Sequence, residues 1–174
     1  MATIKQPVQD ILTLLGNMQV VNADGNTVVL YTRVWNNQYK LEQDGKLYSY
    51  AKPAAFVEVV NQAAYSVLGQ GYRSADIIFR IHLIHEYYNI DGTLEQDLAI
   101  FDLRDAVIAL LHLHCPTGCG PLNAVKEQQE YDHTNIYHYT IDFVCNFTDT
   151  GGSTDGQFIY SVPPYDAQIE TPAP

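Results

Sequence analysis

The sequence predicts an α+β domain: a mainly antiparallel β-sheet with a short N-terminal helix and a long helix packed on one face, followed by an extended C-terminal tail. Three observations carry this expectation. The elements run short helix, four or five strands, long helix, two strands, an order that segregates helices to one side of a sheet. Two stretches, Ile77 to Glu86 and Tyr137 to Phe147, alternate apolar and polar side chains with a period of two. At 174 residues the chain has the length of one domain with enough material for a core.

Each element has its own signal. Pro7 suits the first turn of a helix, Val8, Ile11, Leu12 and Leu15 share one face, and Gly16 offers a C-cap. Gln19 to Asn22 and Thr27 to Trp35 read as two strands around the turn-rich Ala23-Asp24-Gly25-Asn26. A loop at Asn36-Asn37-Gln38 and a second turn at Gln43-Asp44-Gly45-Lys46 precede short strands at Leu47 to Tyr50 and, behind Pro53, Ala54 to Val60. Residues 61–75, with two glycines, read as one extended loop.

The next strand is the clearest. Ile77, Phe79, Ile81 and Leu83 face a core, while Ile78, Arg80, His82 and Glu86 face water or a partner. Thr93 and Gln96 form a capping-box signature for a long helix over residues 94–113. Its stripe is Ile100, Leu103, Val107, Leu110 and Leu111, with Asp102, Asp105 and His112 opposite. Cys115-Pro116-Thr117-Gly118-Cys119-Gly120-Pro121 ends it. Leu122 to Tyr131 is polar enough for an exposed edge strand, and the strand through Tyr137, Ile141, Phe143 and Phe147 belongs in or beside the sheet centre. The boundary falls after Asp149: residues 1–149 form the domain and residues 150–174 a tail without its own core.

Charge excludes one large class of function. Twenty acidic against nine basic residues give a net charge of −11, and after Arg104 the only Lys or Arg is Lys126. A protein that grips nucleic acid clusters cations against phosphates, so sequence-specific DNA or RNA binding is not expected. No apolar run reaches the ~18–20 residues of a membrane span, and the N-terminus lacks a charged region before an apolar block, so the expectation is use without export or membrane. Three cysteines are too few for a disulfide scaffold and fit a reducing compartment.

The chemistry-bearing residues give no catalytic motif. His112, His114, Cys115 and Cys119 make an H-x-H-C-x3-C run whose spacing matches no common zinc site. His82 and His85 fall on opposite faces of one strand, and His138 and Asp142 stand about 13 Å apart along another, beyond hydrogen-bond reach. Cys145 sits on an apolar strand face and reads as a core residue. No nucleophile elbow, phosphate loop or HExxH occurs, so no catalytic residue, metal or cofactor is expected. A small metal-dependent enzyme built on the histidines is the alternative from a different class. Trp35 beside Asn36, Asn37 and Gln38 is either a contact cluster or a core-edge Trp with a polar turn.

Val34-Trp35-Asn36-Asn37-Gln38, then Lys52-Pro53-Ala54-Ala55-Phe56-Val57-Glu58, the strand Asp76 to Glu86 running into the long helix, and Glu130-Tyr131-Asp132-His133-Thr134-Asn135 before Tyr137-His138-Tyr139 together cover most of residues 1–149. In order and texture they resemble the tail-terminator and tail-completion proteins of the neck of long-tailed bacteriophages and prophages. The resemblance implies a non-catalytic virion protein, made in the bacterial host cytoplasm and assembled as a ring, often a hexamer. Such a ring caps the tail tube and joins it to the head-completion or connector protein while DNA passes through. Another head–tail connector or a baseplate adaptor is the alternative in the same setting. Expected contact residues are Trp35, Asn36, Asn37, Gln38, Tyr65, Tyr72, Tyr160 and Tyr165, from a chain with 13 tyrosines. Asp102, Asp105, Glu127, Glu130 and Asp132 are the candidates for an acidic lumen that repels phosphate. The tail departs from the compact members, and whether it wraps an adjacent subunit or stays disordered is open.

Overall fold

Two long antiparallel strands organise the molecule, β6 (Tyr72–Glu86) and β8 (Ile136–Asp149), paired from Arg73 opposite Asp149 to Glu86 opposite Ile136. The computed structural model describes residues 3–22, 24–37, 50–60, 64–69, 71–86, 93–130 and 136–150. The remaining elements are helix α1 (Lys5–Gly16), strands β1 (Gln19–Val21), β2 (Thr27–Val29), β3 (Tyr31–Val34), β4 (Ala54–Val60) and β5 (Ser66–Gly69), helix α2 (Leu94–Leu111) and strand β7 (Asn123–Glu130). The main sheet runs β3-β4-β6-β8-β7, with β5 pairing the start of β6, and β1 and β2 form a separate hairpin. Every pairing is antiparallel except β3 with β4. The expected α+β class is therefore what the chain forms, with β7 at an edge and β8 next to centre as its alternation implied.

Alternation explains the layers. Odd positions of the three central strands, including Val57, Phe79, Ile81, Ile141 and Phe143, face the helices and join Ile11 and Leu15 of α1 and Ile100, Leu103 and Val107 of α2 in the main core. Even positions form a smaller cluster on the back: Ala54, Phe56, Ile84 and Ile136, flanked by Tyr31, Trp35 and Tyr50. At about 25 cal/mol per Å² of apolar surface, each fully buried Phe or Ile stabilises the fold by roughly 2 kcal/mol, so the helix-side layer dominates.

Several expectations need correction. The stretch expected as a loop over residues 61–75 holds β5 and the first residues of β6, turned by Gly71 at φ 79°. The strand expected from Thr27 to Trp35 breaks at buried Leu30, whose N–H donates to Met18 O, so its halves enter different sheets. Gly16 is the last helical residue, with Asn17 as cap; a Cβ there would stand 3.1 Å from Thr32 Oγ1, so close approach of α1 to β3 explains the glycine. Helix α2 stops at Leu111, two residues early, because Leu113 turns left-handed at φ 65° and exchanges backbone bonds with the Leu122 region. The turn at 43–46, the strand at Leu47, the Gln96 side chain and the tail after Thr150 lie outside the described residues. Among the described residues no helix is long and apolar enough to cross a membrane.

Candidate functional site

The back of the sheet carries a polar ladder whose residue types follow from strand register. Glu58 of β4 stands opposite Arg80 of β6, Arg80 opposite Asp142 of β8, and Asp142 opposite Lys126 of β7. Four strands thus set their charges in an alternating row, the cross-strand arrangement that opposite charges favour. Arg80 donates from Nε to Asp142 Oδ1 at 2.7 Å and from a terminal nitrogen to Oδ2 at 3.0 Å, a bidentate pair. The hydrogen bonds from Arg80, chiefly to Asp142, raise its already high pKa further.

One register step along, His82 joins this row to the aromatic cluster. Its Nε2 lies 3.0 Å from Glu58 Oε2, and its Nδ1 lies 2.9 Å from His138 Nε2. The indole of Trp35 covers the His82 ring, with centroids 3.7 Å apart and planes within 7°. Burial, with the Arg80 guanidinium nearby, pushes the His82 imidazole down to about 3, so the ring is neutral at pH 7. A neutral ring has one N–H, and the carboxylate beside Nε2 fixes it there; Nδ1 then accepts from His138. The chain of donors runs His138 to His82 to Glu58.

This arrangement orders a sheet face, and its two imidazoles are shielded from solvent. His82 and His138 are 5% and 3% exposed. The buried thiol of Cys145 belongs to the helix-side core, on the opposite side of the sheet. Among the described residues no three His, Cys, Asp or Glu side chains gather as a metal site. His112 instead accepts from Ala124 N–H through Nδ1 at 3.4 Å. Cys119 sits beside Cys145, and the Cys145 sulfur together with burial holds the Cys119 thiol protonated. Cys145 is buried as its strand position implied.

The expected contact residues lie in different places. Trp35 is half-buried on the back cluster, and Asn36 and Asn37 beside it are exposed, Asn37 at φ 62°. Tyr65 packs under the Arg73 guanidinium, which lies 4.4 Å from its ring centroid, and Tyr72 is exposed at the start of β6. Gln38, Tyr160 and Tyr165 lie outside the described residues.

The acidic candidates divide between both faces. Asp102 and Asp105 are exposed on α2, where Arg104 bonds Asp105. Glu127, on the helix-side face of β7, accepts both Arg104 Nε at 2.7 Å and the Tyr139 hydroxyl at 2.9 Å. The Arg104 hydrogen bond holds the Glu127 carboxyl below the usual range. Glu130, opposite His138, belongs to the back face, and Asp132 lies outside the described residues. These carboxylates therefore do not make one continuous acidic surface.

Large apolar side chains that stay exposed were not legible in the sequence as patches. Val67 is 82% exposed and Leu68 60%, beside Tyr72 at the β5–β6 turn. Leu94, 73% exposed, with Leu98 and Phe101, lines the first half of α2. That half packs near His85, at the other end of β6, where Ala99, Asp102 and Leu103 share a small cavity with it. Compared with known proteins, the chain matches no family model and no curated protein.

Proposed function

We propose that the chain is a non-catalytic virion protein of the neck of a long-tailed bacteriophage, a tail terminator that assembles with copies of itself into a ring. One observation supports this reading above the others: two unlike apolar patches occupy opposite ends of β6. Val67, Leu68 and Tyr72 stand at one end, and Leu94, Leu98 and Phe101 at the other. A two-fold dimer needs one self-complementary patch, whereas a head-to-tail ring needs two different ones. Scattered exposed apolar residues are ordinary on a monomer, but side chains as large as these grouped at two ends favour burial against a neighbour.

Acidity fits the same reading in a narrower form. The Asp102 residues on the outer face of α2, one from each copy, are carboxylates available to a channel, while Arg104 occupies both Asp105 and Glu127. At physiological salt their repulsion of phosphate acts over about 8–10 Å, which suits sliding DNA rather than gripping it. The ring, six copies by the resemblance, meets the tail-tube protein on one side and a head-completion or connector protein on the other.

Electron microscopy of tail tubes mixed with the purified chain tests this. Tubes are expected to carry added density at one end only, and Val67→Asp with Leu68→Asp abolishes it. Bare tube ends at saturating protein overturn the proposal.

A further inference from the structure

Between α1 and the start of β6 lies a groove of about 630 Å³. Val8 and Leu12 of α1, Val34 of β3, Val59 of β4 and Tyr65 give it an apolar lining. Val34 is 53% exposed and Val59 36%, so this surface is not covered by the described residues. On its rim Arg73 donates from Nε to Asp149 Oδ2 at 2.8 Å.

Asp149 is also the last residue of β8, so the chain leaves the sheet at the groove itself. The residues that follow have a matching composition. Gly151, Gly152 and Gly156 permit a reversal of direction, and Phe158, Ile159, Tyr160, Val162 and Tyr165 supply apolar area. The only charges from 151 onward are acidic: Asp155, Asp166 and Glu170. Lys5 lines the groove beside the Arg73–Asp149 pair, and the first turn of α1 there contains no acidic residue and no side-chain cap. The partial positive charge of the helix start, with Lys5, therefore complements Asp155 and Asp166, which flank the apolar stretch from Phe158 to Tyr165.

We propose that the segment Phe158 to Tyr165 docks in this groove of its own chain. From Thr150 to Phe158 the backbone spans up to about 28 Å, enough to turn back over α1. A tether this short holds the segment at an effective concentration of order millimolar, which favours the same chain over a second copy. Docking within one chain stands or falls separately from ring assembly, because it is read on isolated monomers as well as on assembled protein.

The test uses the full chain with p-benzoylphenylalanine in place of Phe158, irradiated as an equal mixture of light and heavy isotope-labelled copies. Cross-links are expected within single copies, to peptides containing Val8 to Leu12 or Val59 to Arg73. Val59→Asp should lower their yield at least fivefold, and Val34→Asp serves as a second variant; thermal melts verify that both remain folded. Cross-links between light and heavy copies, cross-links to another surface, no cross-links, or a yield unchanged in both folded variants each overturn it.

Discussion

His82 and His138 are two residues out of register on neighbouring strands, yet Nδ1 of one lies 2.9 Å from Nε2 of the other. His82 faces Thr140 directly, so its ring reaches diagonally, and Trp35 stacked above it closes the pair off from water. Both ring nitrogens of His82 are thereby occupied, by His138 and by Glu58, which is why this imidazole can sit buried without charge.

That burial sets a pH dependence. The folded-state pKa of His82 is about 3, below the ordinary 6.5, so the unfolded chain binds a proton that the folded chain refuses. Its contribution is present in full above pH 6.5 and is lost as pH falls toward 3. Between pH 6.5 and 5 the loss is on the order of 2 kcal/mol. Urea denaturation at intermediate pH values checks this: His82→Gln should flatten the slope over that range relative to the natural sequence.

Arg80 and Asp142 form a pair in which the carboxylate is almost wholly buried, its side chain 8% exposed. Removing only the cation leaves that charge unpaired, so Arg80→Leu should cost about 3 kcal/mol or more. Adding Asp142→Leu should restore most of the loss. A double variant no more stable than the single one would show that the pair contributes more than charge compensation.

Trp35 packs on Phe56, His82 and His138. Trp35→Ala is therefore expected to lower the stability of the monomer by about 2–3 kcal/mol, because a partly exposed Trp loses less than a fully buried one. An unchanged melting temperature would return Trp35 to the role of a contact residue.

The three thiols should react at different rates. Cys115 is exposed, whereas Cys119 is held protonated beside buried Cys145. Native protein should consume one equivalent of a thiol-specific disulfide reagent quickly, and the other two only on unfolding. Rapid reaction of two or three would contradict the contact between Cys119 and Cys145.

How far the sequence spoke depended on whether a feature was local. The β6 alternation of Ile77, Phe79, Ile81 and Leu83 was legible because each side chain obeys one strand's own period, and Ala54 to Val60 emerged with its predicted ends. β5 was not legible, since Val67 and Leu68 are exposed and show no buried face. The break at Leu30 depends on Met18, and the parallel pairing of β3 with β4 follows from that break. The histidine pair was missed for a similar reason: distances along one strand exclude partners on that strand, while register between β6 and β8 decides who meets across it. Opposite faces for His82 and His85 needed only the strand period, and His85 does lie with α2 on the helix side.

Assembly through the two ends of β6 is most directly tested by the native mass of the full chain, measured alone and after mixing with tail tubes. The account predicts a closed ring, near 118 kDa for six copies of 19.6 kDa, in the presence of tubes at the latest, and its loss in Val67→Asp with Leu68→Asp. A mass of 19.6 kDa under both conditions would contradict it.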